Sequence, residues 1–138
     1  MTVMQRVAIC FAAGVVGAVA VVVLSHIMFA LGLSQKLGVS APVSLKSPDI
    51  YKPLFWGGLW GIPFALLLPA VWTHLYLVGF LYYLAPMAAL FLFFLPMAGA
   101  GYFGLRQGPL FMVYLLLINL PFGIVTALVA RVIIGEKP

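Results

Sequence analysis

Long apolar runs separated by short polar stretches dominate this chain of 138 residues. The first run covers about residues 7–33, nearly continuous apolar sequence follows over 54–98, and a last run covers about 109–134. A helix of about 20 apolar residues crosses the ~30 Å hydrocarbon core of a bilayer. The first and last runs therefore each predict one membrane span.

The middle apolar run is too long for one span and too short for three, so it predicts a hairpin with spans over about 54–73 and 80–98. Thr, His and Gly interrupt the run between Thr73 and Gly79, where we expect the turn. Residues 34–52, rich in Ser, Pro and Lys, predict a loop on the membrane surface. Together, the runs predict an all-α integral membrane four-helix bundle, one transmembrane domain with both termini on the same side.

Prolines recur inside these runs, at Pro63, Pro69, Pro86, Pro96 and Pro121. An internal proline removes a backbone hydrogen bond and bends its helix, so the predicted helices are proline-kinked. Bent helices either pack plainly against one another or leave a cavity between them, and both alternatives stay open at this point.

The composition is that of a membrane protein, because 66% of the residues are hydrophobic, 7% are charged and the mean hydropathy is +1.26. The two acidic residues, Asp49 and Glu136, lie outside the apolar runs. Acid–base and metal sites usually need carboxylates, so we do not expect an enzyme. The seven basic residues are scattered over loops and tails, which favours anionic lipid headgroups as partners and argues against nucleic acid.

Small residues four positions apart predict close helix contacts at Gly14 and Ala18, and at Gly57 and Gly61. Trp56 and Trp60 flank the second pair, and their spacing predicts that they stack on one helix face. Helix packing is the simple interpretation of this cluster. The alternative is a shelf for a lipid or a quinone-like ring.

Two polar side chains inside the runs are candidate sites. His26 is a candidate single axial ligand for haem or a pigment, although a hydrogen bond to a neighbouring helix or partner subunit also explains it. His26 and His74 differ by about 20 Å in depth, so they cannot bind one haem iron together. Asn119 predicts a hydrogen bond to another helix or to a carbonyl freed by Pro121, or else a polar site on a transport path. We expect no other cofactor and no metal.

Residues 99–104 match the glycine pattern of dinucleotide-binding loops, but the segment before them is a predicted span and not a strand. No acidic residue follows at the spacing needed to hold a ribose. Gly99, Gly101 and Gly104 therefore predict a tight turn at the membrane interface, which also carries Arg106.

The Trp-Gly-Gly-Leu-Trp-Gly stretch at 56–61, the glycine-rich turn and Asn119 resemble an uncharacterised group of small bacterial four-span membrane proteins. The resemblance covers about residues 51–131. It implies the four-span topology and a location in the bacterial cytoplasmic (inner) membrane, and it implies no activity.

These observations favour a non-catalytic multi-pass membrane protein that acts as an accessory or scaffolding subunit of a larger membrane complex. Its expected partners are membrane lipids and other integral membrane subunits. The alternative is a small transporter or a lipid- or quinone-binding protein that uses Asn119, His26 and the kinked spans.

Overall fold

The structure, a computed structural model, describes residues 1–136 and is built of helices. Lys137 and Pro138 lie outside the described residues. The α-helices are α1 (Val3–Ala30), α2 (Leu33–Lys36), α3 (Tyr51–Val71), α4 (Leu75–Tyr82), α5 (Leu84–Ala89), α6 (Leu95–Met97) and α7 (Pro109–Ile134). Short 3₁₀ helices occupy Trp72–His74 and Tyr102–Gln107, and a π-helix occupies Leu90–Phe94. Residues 1–136 contain no strand, so the predicted all-α class is confirmed for them.

Three helical stretches are long and apolar enough to cross a membrane. They are Val3–Ala30 with 28 residues, Tyr51–Met97 with 47 residues, and Pro109–Ile134 with 26 residues. They support a membrane protein, as the apolar runs predict.

Helix α1 begins earlier than the predicted boundary at residue 7. The Thr2 hydroxyl accepts a hydrogen bond from the Gln5 backbone N–H at 3.1 Å, and the Gln5 side chain accepts one from the Thr2 N–H at 2.8 Å. This reciprocal pair is a capping box, which satisfies two backbone donors that a helix start otherwise leaves free. The capping box, rather than the start of the apolar run, sets the first residue of α1.

The 47-residue middle stretch folds back on itself. The backbone leaves the helical region at Val71 (φ −111°, ψ 10°) and at His74 (φ −122°, ψ 34°). Farther along, the Trp56 and Phe94 rings lie 5.1 Å apart. In an uninterrupted helix these two residues would be roughly 57 Å apart. Residues 75–97, called the returning arm below, therefore run back alongside α3.

The reversal ends sooner than the predicted turn over Thr73–Gly79. Gly79 is a buried residue of α4, where an added Cβ would lie 2.6 Å from the Cβ of Ala127. Its small size serves the close approach of α7 and not the turn, because 3₁₀ geometry at Trp72–His74 completes the reversal without a glycine.

The helices alternate in direction, so the molecule has two distinct ends. Val7, Val71 and Ile134 all pack against one core cluster, which places the start of α1, the reversal and the end of α7 together at what we call the terminal end. A second cluster joins Met28 and Leu37 to Leu95, Phe111 and Tyr114 at the opposite, loop end.

The sequence predicted that the connection between α2 and α3 is a loop on the membrane surface. In the structure this connection also contacts α1. Val43 donates its backbone N–H to the buried Ser25 hydroxyl at 3.2 Å, and its carbonyl oxygen lies 2.9 Å from Nε2 of His26. Ser25 and His26 precede the end of α1 by about one turn. The connection therefore returns alongside the last turns of α1 and is fastened there.

Candidate functional site

The predicted small-residue pairs on α1 and α3 face each other. A Cβ atom added to Gly14 would overlap the carbonyl oxygen of Gly57, and one added to Gly61 would overlap the carbonyl oxygen of Cys10. One added to Gly57 would lie 2.6 Å from the Cβ of Ala18. The backbones of α1 and α3 thus touch directly, and we call this interface the α1–α3 seam. It uses all four predicted small residues inside the molecule.

A second close contact, between α4 and α7, was not recognised in the sequence. A Cβ added to Gly123 would overlap the carbonyl oxygen of Gly79, so these two glycines set the distance between the helices. Gly79 has no second small residue four positions away, whereas Gly123 has Ala127, and both residues of that pair lie against Gly79. The Gly123–Ala127 spacing was a sequence signal that was missed. Helix α1 also packs closely on α7, where Gly17 leaves room for the buried Thr126 side chain.

The fourth side, between α3 and the loop-end half of the returning arm, is open. Among the described residues, the most extensive helix contacts join α1 with α3, α1 with α7, and α4 with α7. Where no such seam closes the structure, a cavity of about 360 Å³ extends from the middle of the helices toward the loop end. We call this cavity the cleft. It is lined by Ala18, Val21, Pro53, Trp56, Gly57, Trp60, Tyr83, Pro86, Met87, Leu90, Phe94, Asn119 and Phe122.

Aromatic and aliphatic side chains form most of the cleft wall. Trp56 and Trp60 both line it from α3, but the predicted stacking of the two indoles is wrong, because no aromatic pair joins them in the described structure. Trp56 instead meets Phe94 across the opening at a centroid distance of 5.1 Å and an interplanar angle of 60°. The π-helix supplies both Leu90 and Phe94 to the wall. π-helical turns occur frequently at functional sites.

Asn119 is the amide in this wall. Its Nδ2 donates a hydrogen bond to the Leu115 carbonyl oxygen at 2.8 Å, one turn back in its own helix. The predicted partners, another helix or the carbonyl freed by Pro121, are therefore wrong, since the freed oxygen is that of Leu117. Within residues 1–136 this is the one hydrogen bond recorded for the side chain. Its carbonyl oxygen and second amide hydrogen make no further hydrogen bond within those residues.

His26 lies outside the cleft, fastened to the connection after α2. Because a carbonyl oxygen only accepts hydrogen bonds, Nε2 of His26 must carry the proton that it donates to Val43. That nitrogen is therefore occupied and does not face an open coordination position. The observed partner is loop backbone, not the neighbouring helix or partner subunit that the sequence had indicated. No group of three or more His, Cys, Asp or Glu side chains within residues 1–136 is arranged to hold a metal ion.

The predicted glycine turn lies at the loop end and does not line the cleft. Gly99, Gly101 and Gly104 all have positive φ angles, of 85°, 80° and 67°, which glycine adopts without steric cost. Arg106 closes the turn by donating from its guanidinium to the Gly99 carbonyl oxygen at 3.1 Å. The structure thus brings five of the predicted residues to the cleft, namely Ala18, Trp56, Gly57, Trp60 and Asn119.

Comparisons with protein-family models, curated proteins and solved structures give no match for this chain. The resemblance to small bacterial four-span proteins remains a prediction from the residues quoted for it.

Proposed function

We propose that this protein is a non-catalytic, four-span membrane protein that takes the apolar part of a membrane lipid, or of a lipid-soluble ring compound, into its cleft. The observation that carries the proposal is the cleft itself, an apolar cavity of about 360 Å³ on the side of the molecule where no helix seam forms. Ligand cavities in proteins typically measure ~300–1,000 Å³, are mostly apolar and contain a few polar groups. Asn119 is such a group here.

The reversal at Val71–His74 supports four crossings. Helix α3 has 21 residues, enough for about 31 Å of helix, and the returning arm is of similar length. Each half therefore matches the ~30 Å hydrocarbon core by itself. With four crossings, the start of α1 and the end of α7 lie on the same side of the membrane. One of the internal prolines, Pro86, contributes to the cleft wall. This is consistent with kinked helices holding the cleft open.

Binding without catalysis agrees with the chemistry of the cleft wall. Among the described residues that line it, none is acidic, a histidine or a cysteine. Asp49 and Glu136 are both exposed and lie outside the helices. The wall thus offers shape, aromatic surface and one amide, which suit recognition of an apolar guest better than proton transfer or nucleophilic attack.

Occupation of the cleft is testable with a matched pair of variants. Leu90→Trp places a bulky ring in the cleft, whereas Leu92→Trp places the same ring on the exposed face of the same π-helix. Native mass spectrometry of protein purified in mild detergent would measure the lipid retained. We expect Leu90→Trp to reduce retention by about tenfold or more, and Leu92→Trp to leave it unchanged. Equal retention by all three proteins would refute the proposal.

A role as an accessory subunit is the second candidate, and the outer face of α1 favours it. Ala8 and Ala12 are exposed and lie four positions apart, the spacing at which another transmembrane helix can approach closely. The four small residues predicted to make such contacts lie inside the molecule, in the α1–α3 seam. The exposed face of α1 is therefore what supports a contact with another subunit. Mass measurement after extraction from native membranes tests it. A chain that runs only as a monomer or homo-oligomer would exclude the subunit role.

The bacterial cytoplasmic membrane is the proposed location, and it rests on the sequence resemblance alone. Expression of a fluorescent fusion in a bacterium, followed by separation of inner and outer membranes, would test it. Recovery in the outer membrane fraction would contradict the proposal.

A further inference from the structure

We infer that the guest in the cleft is an anionic phospholipid, with one acyl chain between Trp60 and Phe94 and its phosphate on Lys52. The inference rests on the proposed function, because it requires that the cleft hold a lipid.

Helix geometry places Lys52 at the loop-end mouth of the cleft. Lys52, Trp56 and Trp60 follow one another at four-residue spacing, so they lie along one face of α3. Trp56 and Trp60 line the cleft, and so does Pro53, the residue after Lys52. Lys52 itself is exposed. A lysine in this position can lay its aliphatic stem along apolar surface while the ammonium group reaches headgroup level.

Charge at the loop end favours an anionic headgroup. The cations on this side are Lys36, Lys46, Lys52 and Arg106, all exposed, and Asp49 is the acidic residue among them. The guanidinium of Arg106 donates a hydrogen bond to the Gly99 carbonyl oxygen. Of these cations, Lys52 is the one on the face that lines the cleft. Basic residues at a membrane surface attract anionic lipids, and this attraction falls off within a Debye length, so the cation next to the cleft contributes most to a lipid bound there.

The size of the cleft limits how much of the lipid enters. Its volume of about 360 Å³ lies at the low end of the range for ligand cavities. One acyl chain therefore enters between the aromatic side chains, while the second chain stays in the surrounding leaflet. A cleft that opens sideways between α3 and the returning arm permits this arrangement without moving either helix.

The test is a competition between two phospholipids that differ in headgroup charge and share the same acyl chains. Protein in neutral detergent is mixed with equal amounts of phosphatidylglycerol and phosphatidylcholine, and bound lipid is counted by native mass spectrometry. We expect the unmodified protein to retain about fivefold more of the anionic lipid. We expect Lys52→Gln to abolish this preference while phosphatidylcholine binding persists. Lys46→Gln, which removes another exposed cation from the preceding loop, should leave the preference intact.

Each outcome distinguishes the two proposals. If the unmodified protein shows no preference, or if Lys52→Gln keeps it, the inference about the headgroup is wrong while lipid binding in the cleft stands. Equal loss of preference in Lys46→Gln would likewise overturn the assignment to Lys52. If Leu90→Trp changes the binding of neither lipid, then the proposed function itself is wrong.

Discussion

The two faces of helix α3 differ in how they meet their neighbours. Toward α1, Gly57, Gly58 and Gly61 let the backbones touch, and an added Cβ on Gly58 would lie 2.6 Å from the Phe11 ring. Toward the returning arm, Trp56 and Trp60 line the cleft, and Trp56 contacts Phe94 of that arm. One six-residue stretch therefore specifies a closed side and an open side, with glycines for the first and tryptophans for the second.

In a membrane, one helix can pack closely against one neighbour and leave space for a ligand beside another. Association of membrane helices depends on van der Waals packing more than on the hydrophobic effect, so close contact requires small residues at the crossing. Where large side chains stand at a crossing, the helices approach less closely and apolar surface stays uncovered by protein. The open side of α3 thus needs no polar chemistry to attract an apolar guest.

The largest expected effect comes from disrupting the closed side. Gly14→Leu would force a side chain into the backbone of Gly57, where even a Cβ overlaps the carbonyl oxygen. Overpacking of this kind typically costs ~1–3 kcal/mol, and we expect about 3 kcal/mol because backbone, not a flexible side chain, must move. Unfolding in mild detergent titrated with a denaturing detergent measures the change.

Ala12→Leu is the control for this substitution, since Ala12 is exposed on the same helix. It should change the free energy of unfolding by less than about 0.5 kcal/mol. Equal destabilisation by Gly14→Leu and Ala12→Leu would show that the α1–α3 seam does not depend on its small residues.

A smaller loss is expected at the second seam, between α4 and α7. Gly123→Ala adds only a Cβ, which would overlap the Gly79 carbonyl oxygen, while the better helix propensity of alanine offsets part of the strain. We expect a destabilisation of about 2 kcal/mol in the same unfolding assay. Ile124→Ala, at the neighbouring exposed position, serves as the comparison and should lose less than about 0.5 kcal/mol. A neutral Gly123→Ala would mean that α4 and α7 are not in backbone contact.

Sequence reasoning predicted the α1–α3 seam better than the cleft. Small residues at four-residue spacing mark Gly14 with Ala18 and Gly57 with Gly61, and the structure pairs the two sets. On α7 the same spacing joins Gly123 to Ala127, and this signal was overlooked. Gly79 has no small residue four positions away, so its close contact with α7 follows from the fold and was not readable from its own segment.

The hydrogen-bond partners of the polar residues were also not predictable from the sequence. His26 was recognised as unusual inside an apolar run, but its partner is the backbone of Val43, 17 residues away in a loop without a motif. Every residue except proline carries both a backbone donor and a backbone acceptor, so residue type does not indicate where such a bond forms. The sequence therefore indicated that His26 needed a partner without indicating which one.

The smallest expected change in stability is on the open side, and it tests the comparison most directly. Leu90→Trp adds far more volume than Gly123→Ala, yet Leu90 borders a cavity of about 360 Å³ that has room for an indole. We therefore expect the free energy of unfolding to stay within about 0.5 kcal/mol of the unmodified protein, as it should for the exposed Leu92→Trp. The same unfolding assay, on delipidated protein so that no guest is displaced, measures it. A loss comparable to that of Gly14→Leu would mean that α3 and the returning arm are as tightly packed as α1 and α3. In that case the cleft would not be a space in which a lipid chain can lie.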